Sequence, residues 1–585
     1  QGSLIYRCMA SIDQEKNYLS QAEASGLFPR LAAYTKLSGP GWLQSAITLG
    51  GGSLASSLFL GVLAGYSLLW LQPLAIILGI VMLSAISHVT LSTGQSPFAS
   101  INNEINPVLG WGWAIATITA NIVWCLPQFN LGTAAVTQNL FPELEGALWF
   151  KVLTCTLMLL IAFGVVWAYD KGSKGVKIFD WALKIMVAIV VIAFFGVVVK
   201  LSATGEANWG EIAAGFVPNF SLLTQPADSY LPFLNETGQF KSFWEDKIVG
   251  LQQDVMISAA ATAVGINMTF FMPFVLLRRK WGREHRGLAK FDLWTALFIP
   301  YFIATSCVVI AAGTSFNGKP ESAYDQDGVL HKEHQKGFNE LVTARAHLEW
   351  GGIEYNNLAP IQQDAVLESL PTADRQLAAM LVKRDAKHLA YSLESLFESK
   401  AFSQVIFGIG VLGMALSTII ILMTINGHAI CEVLGKPHKG PTFLAGALIA
   451  GIGVLGPFFW KDAAFWLAVP TSILGFTLIP VAYLSFFLLM NNVQILGRER
   501  PQGASRVVWN IFMLISLSTM GTAAAYVAWN KSWGSVPFGK IALISFGVLM
   551  FVGHFSLRNK KLSKKIEGLE MKIKRLSDQV RSKST

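Results

Sequence analysis

Twelve apolar runs punctuate this 585-residue chain, at about 39–64, 66–88, 109–137, 148–168, 178–200, 250–277, 291–313, 402–425, 441–460, 464–490, 507–529 and 536–557. A helix needs about 20 apolar residues to cross the hydrocarbon core of a bilayer, and each run is long enough. The runs predict an all-α polytopic membrane protein with about twelve transmembrane helices. Composition agrees: 53% of residues are hydrophobic and only 14% charged, against about 25% charged in a soluble domain. A water-soluble enzyme is excluded, and the chain carries no membrane-depth HExxH, no GxSxG elbow and no P-loop. Nothing calls for a cofactor.

Charge orients the runs. Short basic clusters fall on alternate connections: Lys171, Lys174 and Lys177; Arg278 to Lys290; Lys436 and Lys439; Arg498, Arg500 and Arg506. The positive-inside rule then puts both termini in the cytosol, in a plasma or inner membrane. Of the net charge of +9, the stretch from Arg558 onward holds ten Lys/Arg against three acids, so the basic balance belongs to the tail and does not suggest nucleic acid. Cys8, Cys125, Cys155, Cys307 and Cys431 form no CxxC pair and read as small core residues. Residues 1–8 precede a Met9-Ala10-Ser11 that reads as an ordinary start.

The expected organisation is a cytosolic segment at 1–38, runs one to seven at 39–313, an extracytoplasmic helical insertion at 314–400, runs eight to twelve at 401–557 and a basic tail at 558–585. Within the insertion, about 372–397 shows helical spacing, and His331 and His334 form an HxxH read as a solvated face. Apolar residues recur in the tail at Leu562, Ile566, Leu569, Ile573, Leu576 and Val580. Two readings stay open: heptads that pair the chain with a second copy, or an amphipathic helix lying on the anionic leaflet.

The first run is interrupted by Leu49-Gly50-Gly51-Gly52-Ser53, and the sixth by Gly265-Ile266-Asn267-Met268-Thr269. Glycines in membrane helices often mark close packing. A run of three, answered five segments later, points instead to paired broken helices around a midplane site. Candidate binding residues are Gly50, Gly51, Gly52, Ser53, Gly265, Asn267 and Thr269, joined from the third run by Gln128 and Asn130, with Ser53 and Asn267 as candidate metal ligands. Titratable groups near run ends are His88, Asp180, Lys184, Asp254, His428 and Glu432, of which Asp254 is the candidate for ion coupling.

Gly39-Pro40, Gly65-Tyr66-Ser67-Leu68-Leu69-Trp70 and Gly427-His428-Ala429-Ile430-Cys431-Glu432 resemble motifs of the natural resistance-associated macrophage protein (Nramp) family of divalent-metal transporters. The resemblance implies the LeuT-like fold, with two inverted repeats of five helices plus two further helices. It also implies departures. Metal-transporting members carry Asp-Pro-Gly-Asn where this chain has Gly50 to Ser53, and Met-Pro-His where it has Gly265, Ile266 and Asn267. On that alignment the ligating Asp, Asn and Met are all missing. The third run, with Trp124, Pro127, Gln128, Asn130 and Gln138, has no acid between Leu109 and Phe141, although the family places its proton route there.

Three functions fit these residues. One is a transporter or facilitator of a divalent cation such as magnesium, held largely hydrated by neutral oxygens. A second is a carrier of a small organic solute such as an amino acid or carboxylate, bound by glycine amides at the break. The third is a non-transporting membrane sensor or scaffold.

Overall fold

The computed structural model describes residues 12–171, 198–205, 207–325, 327–384, 400–460, 463–532 and 535–584, with scattered positions between 181 and 196. Residues 1–8, Asp180, Lys184, most of the fifth apolar run and the part of 372–397 beyond Arg384 lie outside the described residues. Among the described residues, ten helices are long and apolar enough to cross a membrane, and an eleventh span arises where two shorter helices meet at a 51° bend.

Two short helices, α1 (Ile12–Ala24) and α2 (Leu27–Leu37), precede the bent pair α3 (Pro40–Thr48) and α4 (Gly51–Ala64). Then come α5 (Leu71–Thr93), α6 (Pro107–Ala134) and α7 (Leu148–Lys171), followed by the second interrupted pair, α8 (Lys241–Ala263) and α9 (Ile266–Arg278). The next span enters through Arg286–Asp292 and a π-helical turn into α10 (Ile299–Phe316). An insertion contributes α11 (Lys332–Trp350) and α12 (Thr372–Leu381). The remaining spans are α13 (Lys400–Val433), α14 (Pro441–Ala450) with its 3-10 extension, α15 (Ala468–Asn491), α16 (Gly503–Trp529) and α17 (Phe538–Ser584).

Small residues set how closely these helices cross, as expected where lipid removes the hydrophobic drive between them. A Cβ on Gly61 of α4 would stand 2.6 Å from the Val309 carbonyl of α10, and one on Gly453 would stand 2.4 Å from Cβ of Cys125 in α6. The four cysteines within the described residues are free and buried.

The start of α3 is tied down by a buried acid. Asp292, 0% exposed, accepts hydrogen bonds from the Gly39 and Gly41 amides at 3.0 and 2.5 Å and from the Ser38 hydroxyl. These amides are among the orphan donors of a helix N-terminus, and a carboxylate complements its dipole. The same face carries the basic connections. Arg286 donates to Glu499 at 2.7 Å and Arg283 pairs with it at 3.0 Å, holding its carboxyl below the usual range. That clasp is present above about pH 4.3 and is lost only as pH falls through the depressed value.

The connection before α8 and the insertion pack together as one layer on the opposite face. Asp374 of α12 accepts from the Trp244 indole of α8 and pairs with Arg345 of α11 at 3.2 Å, while the Arg345 guanidinium lies 3.2 Å over the Phe240 ring. Arg384, fully buried, donates to the Ser322 carbonyl and hydroxyl at 3.0 and 2.9 Å. His334 is 1% exposed, with Nδ1 3.3 Å from the Ala323 carbonyl, so the HxxH is not a solvated face. Its second histidine closes the layer against Pro320–Ala323. Among the described residues no group of three or more His, Cys, Asp or Glu is placed to hold a metal.

Removing one partner of a buried ion pair costs about 3–5 kcal/mol, more than an apolar replacement of both. Arg345→Met is therefore expected to make the 314–384 layer sensitive to protease at temperatures where the native chain resists. Arg345→Met with Asp374→Leu should recover much of that resistance. Native-like resistance in the single variant would show that the pair does not hold the layer.

Candidate functional site

Both breaks fall where glycine allows the backbone to leave the helix. Gly50 (φ −85°, ψ 179°) and Gly265 (φ −78°, ψ 164°) are extended, which any residue can adopt, so their need for glycine is steric. A Cβ on Gly50 would sit 2.3 Å from the Thr418 hydroxyl of α13. One on Gly265 would sit 2.4 Å from the Trp124 ring, which is wedged between Gly265 and Gly475 of α15.

The loose backbone ends are met by side chains. The Gly51 amide, first in α4, donates to Gln128 Oε1 of α6 at 3.1 Å. Ser53 donates its hydroxyl to the Thr48 carbonyl, and the Thr48 hydroxyl lies 3.3 Å from both the Ala263 carbonyl at the end of α8 and the Met268 sulfur of α9. Asn267 Oδ1 accepts from the Met268 amide at 2.8 Å, covering the start of α9. Thr48 thus ties one break to the other, and Gln128 ties the first to α6.

Between the breaks lies a cavity of about 40 Å³, room for about three waters. Its polar wall is formed by the hydroxyls of Ser53, Thr262, Thr418 and Ser472 and the amides of Gln128 and Asn267, with Gly52, Gly265, Trp124 and Met268 alongside. Among the described residues no Asp, Glu, His, Lys or Arg lines it. Trp124 Nε1 is a buried donor without a protein partner.

Gly52, Ser53, Gly265, Asn267 and Gln128 meet at this cavity, with Gly50 and Gly51 directly behind it. Two candidates lie elsewhere. Thr269 is buried against α6, where its hydroxyl accepts from the Trp113 indole at 2.9 Å. Asn130 donates to the Ala464 carbonyl at 3.4 Å and lines a separate cavity of about 520 Å³ with Thr133, Lys151 and Trp460. Its position half a turn from Gln128 turns it away from the breaks. Asp254 is half-buried within α8, more than two turns before the break, and does not line the cavity.

The expectation that no thioether reaches the site is corrected by Met268, one position beyond the three residues aligned with Met-Pro-His. Thr418, Ser472, Thr262 and Trp124 were also missed. They come from four different spans, and hydroxyls in apolar helices are too common for pattern to single these out. The closeness of Gly475 to Trp124 is likewise invisible without the packing.

Comparison with known proteins agrees with this architecture. The profile of the Natural resistance-associated macrophage protein-like family (Nramp) matches residues 41–336, half of the chain. The chain is 27% identical over 339 residues to "Metal transporter Nramp4" of Arabidopsis thaliana, covering 52% of this chain and 62% of that one. It is 25% identical over 215 residues to "Metal transporter Nramp6.2" of Populus trichocarpa, covering 37% and 35%. The matched stretches thus span less than two thirds of either relative's length. In structure, it resembles a manganese transporter of Eremococcus coleocola, with a TM-score of 0.59 over 91% of this chain and 96% of that one, at 13% identity. The LeuT-like fold is shared at almost the full length of both chains.

A Cβ on Gly51 would meet Leu131 and Gln128, whereas Gly52 opens on the cavity and its Cβ would find only Thr262 within 3.2 Å and Gln128 at 3.9 Å. Gly52→Val is expected to fill the space and abolish substrate binding while the chain stays monodisperse and thermally stable. Gly51→Leu should also lose binding, but with a lower melting temperature, because it displaces the Gln128 cap. Equal melting temperatures for the two variants would show that Gln128 does not support the break.

Proposed function

Because the chain belongs to the natural resistance-associated macrophage protein-like family, we propose that it moves a divalent metal cation across the membrane by alternating access, with magnesium as the leading substrate. The observation that carries this is the cavity itself: neutral oxygens on two facing breaks, beside the ends of α3 and α8, whose last carbonyls are bonded by the Ser53 and Thr48 hydroxyls. The carbonyl ends of helices carry partial negative charge and suit a cation. A bare divalent ion in a cavity without carboxylates would be costly, so the ion keeps part of its water. Magnesium sheds water reluctantly and accepts such a shell.

An amino acid or carboxylate fits less well. The Gly51 amide that would receive it is already bonded to Gln128, and the start of α9 is covered by Asn267. A sensor or scaffold gives no reason for two polar breaks around a cavity. The Met268 thioether adds some attraction for softer ions, so manganese is the natural competitor.

The termini are proposed to be cytosolic. The Arg-rich connections around Arg283 and Glu499 share one face with α1, joined by Lys16–Glu284 at 3.1 Å and the Glu499 clasp, and the described part of the insertion, up to Arg384, lies on the other. A plasma or inner membrane suits that arrangement.

Uptake into proteoliposomes tests the reading. Saturable magnesium uptake, reduced by Ser53→Ala and Asn267→Ala, is expected, with little uptake of labelled amino acids. Met268→Leu should lower manganese competition and leave magnesium uptake close to native. Amino-acid uptake independent of divalent ions would sink the proposal.

Among the described residues no titratable side chain lines the cavity, and a proton relay needs one with access to both site and water. Magnesium uptake is therefore expected to leave the lumen of vesicles loaded with a pH dye unchanged, in the native chain and in Asp254→Asn alike. Substrate-dependent acidification that disappears in Asp254→Asn would make that residue the coupling group instead.

A further inference from the structure

The last helix has two faces with opposite character. Toward the body, a Cβ on Gly553 of α17 would stand 2.6 Å from the Asn106 side chain, Asn106 donates to the Met550 carbonyl at 2.9 Å, and Lys561 pairs with Glu104 at 2.8 Å. The other face is largely exposed among the described residues, with only Leu562 and Lys565 at its edge lining a cavity of about 410 Å³ beside Glu104 and Ile105. In its membrane part, Ile541, Val548, Val552 and Phe555 are between 42 and 56% exposed, alongside Ile544, Leu549 and Phe551 on the flanks that lipid would cover. In the tail, Leu562, Ile566, Leu569 and Ile573 are between 49 and 65% exposed.

These residues share one register. With Ser545 and Asn559 added, the steps from Ile541 to Ile573 alternate four and three without a break, a heptad seam about 48 Å long at 1.5 Å per residue. We propose that this seam is the interface with a second copy of the chain, a parallel two-stranded coiled coil that starts inside the membrane and runs out through the tail. The proposal is independent of what the cavity carries.

Four observations favour a second copy over lipid or another protein. Ile566 and Ile573 occupy a positions and Leu562 and Leu569 occupy d positions, the combination that favours two parallel strands. Asn559 sits at an a position where the seam leaves the membrane, a residue type that fixes register and pairs best with its own copy. Lys565 at g faces Glu570 at e of a parallel partner, giving an opposite-charge pair on each side of the seam. Two chains inserted the same way also send their tails out in the same direction, so the parallel arrangement is the one the membrane allows.

The uninterrupted helix from Phe538 to Ser584 argues against the tail lying on the bilayer surface, since that would need a sharp turn after the last span. The tail alone offers under three heptads, which is marginal in water. The membrane part lengthens the seam, and Ser545, Val548 and Val552 are small enough for close approach where packing replaces the hydrophobic effect.

Oxidative crosslinking of the full-length chain in its membrane tests the seam. Leu562→Cys and Leu569→Cys, at d, are expected to give a disulfide-linked dimer. Glu567→Cys and Met571→Cys, on the outer face, should stay at the background set by the unsubstituted chain. Ile566→Glu with Ile573→Glu should convert dimer to monomer by light scattering in lipid nanodiscs, with magnesium binding at the cavity unchanged. Equal crosslinking at all four positions would overturn the proposal, as would a monomeric mass for the native chain. Tail binding to protein-free anionic vesicles with no dimer band would assign the face to the bilayer instead.

Discussion

An unpaired amide or carbonyl at membrane depth has no water to bond with, and the two helix breaks persist because side chains take over that duty. The Gln128 carboxamide covers the first amide of α4, Asn267 covers the start of α9, and the hydroxyls of Ser53 and Thr48 reach the carbonyls of Thr48 and Ala263. Each of these bonds links or closes a break with a neutral group. The cavity is therefore polar without being charged, and its small size follows from how many groups converge to satisfy the backbone.

Charge is kept away from the cavity by the same economy of short helices. The α3 helix has only nine residues, so its N-terminus and its broken end are both close to special environments. Asp292 neutralises the first, bonding to Gly39 and Gly41, while the second faces the Thr48, Met268 and Ala263 cluster. A carboxylate at the outer end of α3 leaves its carbonyl end as the part of the dipole felt at the site. The proposed cation preference would then need no acid in the cavity wall.

The apolar runs and the glycine interruptions were legible because they are backbone properties: length in a bilayer, and a residue that permits close approach. Which side chains reach the cavity was less so, because helical phase within a span decides it. Gln128 faces the break and Asn130, two residues on, faces a different cavity. Thr269 looked equivalent to Asn267 in the sequence but lies on the far side of α9, bonded to Trp113. Met268 is not legible from the alignment, which sets the family's Met on Gly265, three positions earlier. Gly51 and Gly52 are adjacent, yet one carries the cap and the other opens on the cavity.

The α17 helix shows why small and branched residues should be read by face as well as by depth. Gly553 is buried against Asn106, whereas Val552, its neighbour, is 55% exposed on the opposite seam. In lipid, an exposed valine costs nothing and would need no explanation. Beyond Arg558 the same stripe continues into water, where Leu562, Ile566, Leu569 and Ile573, 49–65% exposed, would each forgo about half of the roughly 1.5–3 kcal/mol that full burial gives. A single heptad register that crosses that boundary unchanged is explained by one partner that follows the helix through both solvents, and a second α17 is the partner whose own seam has that length.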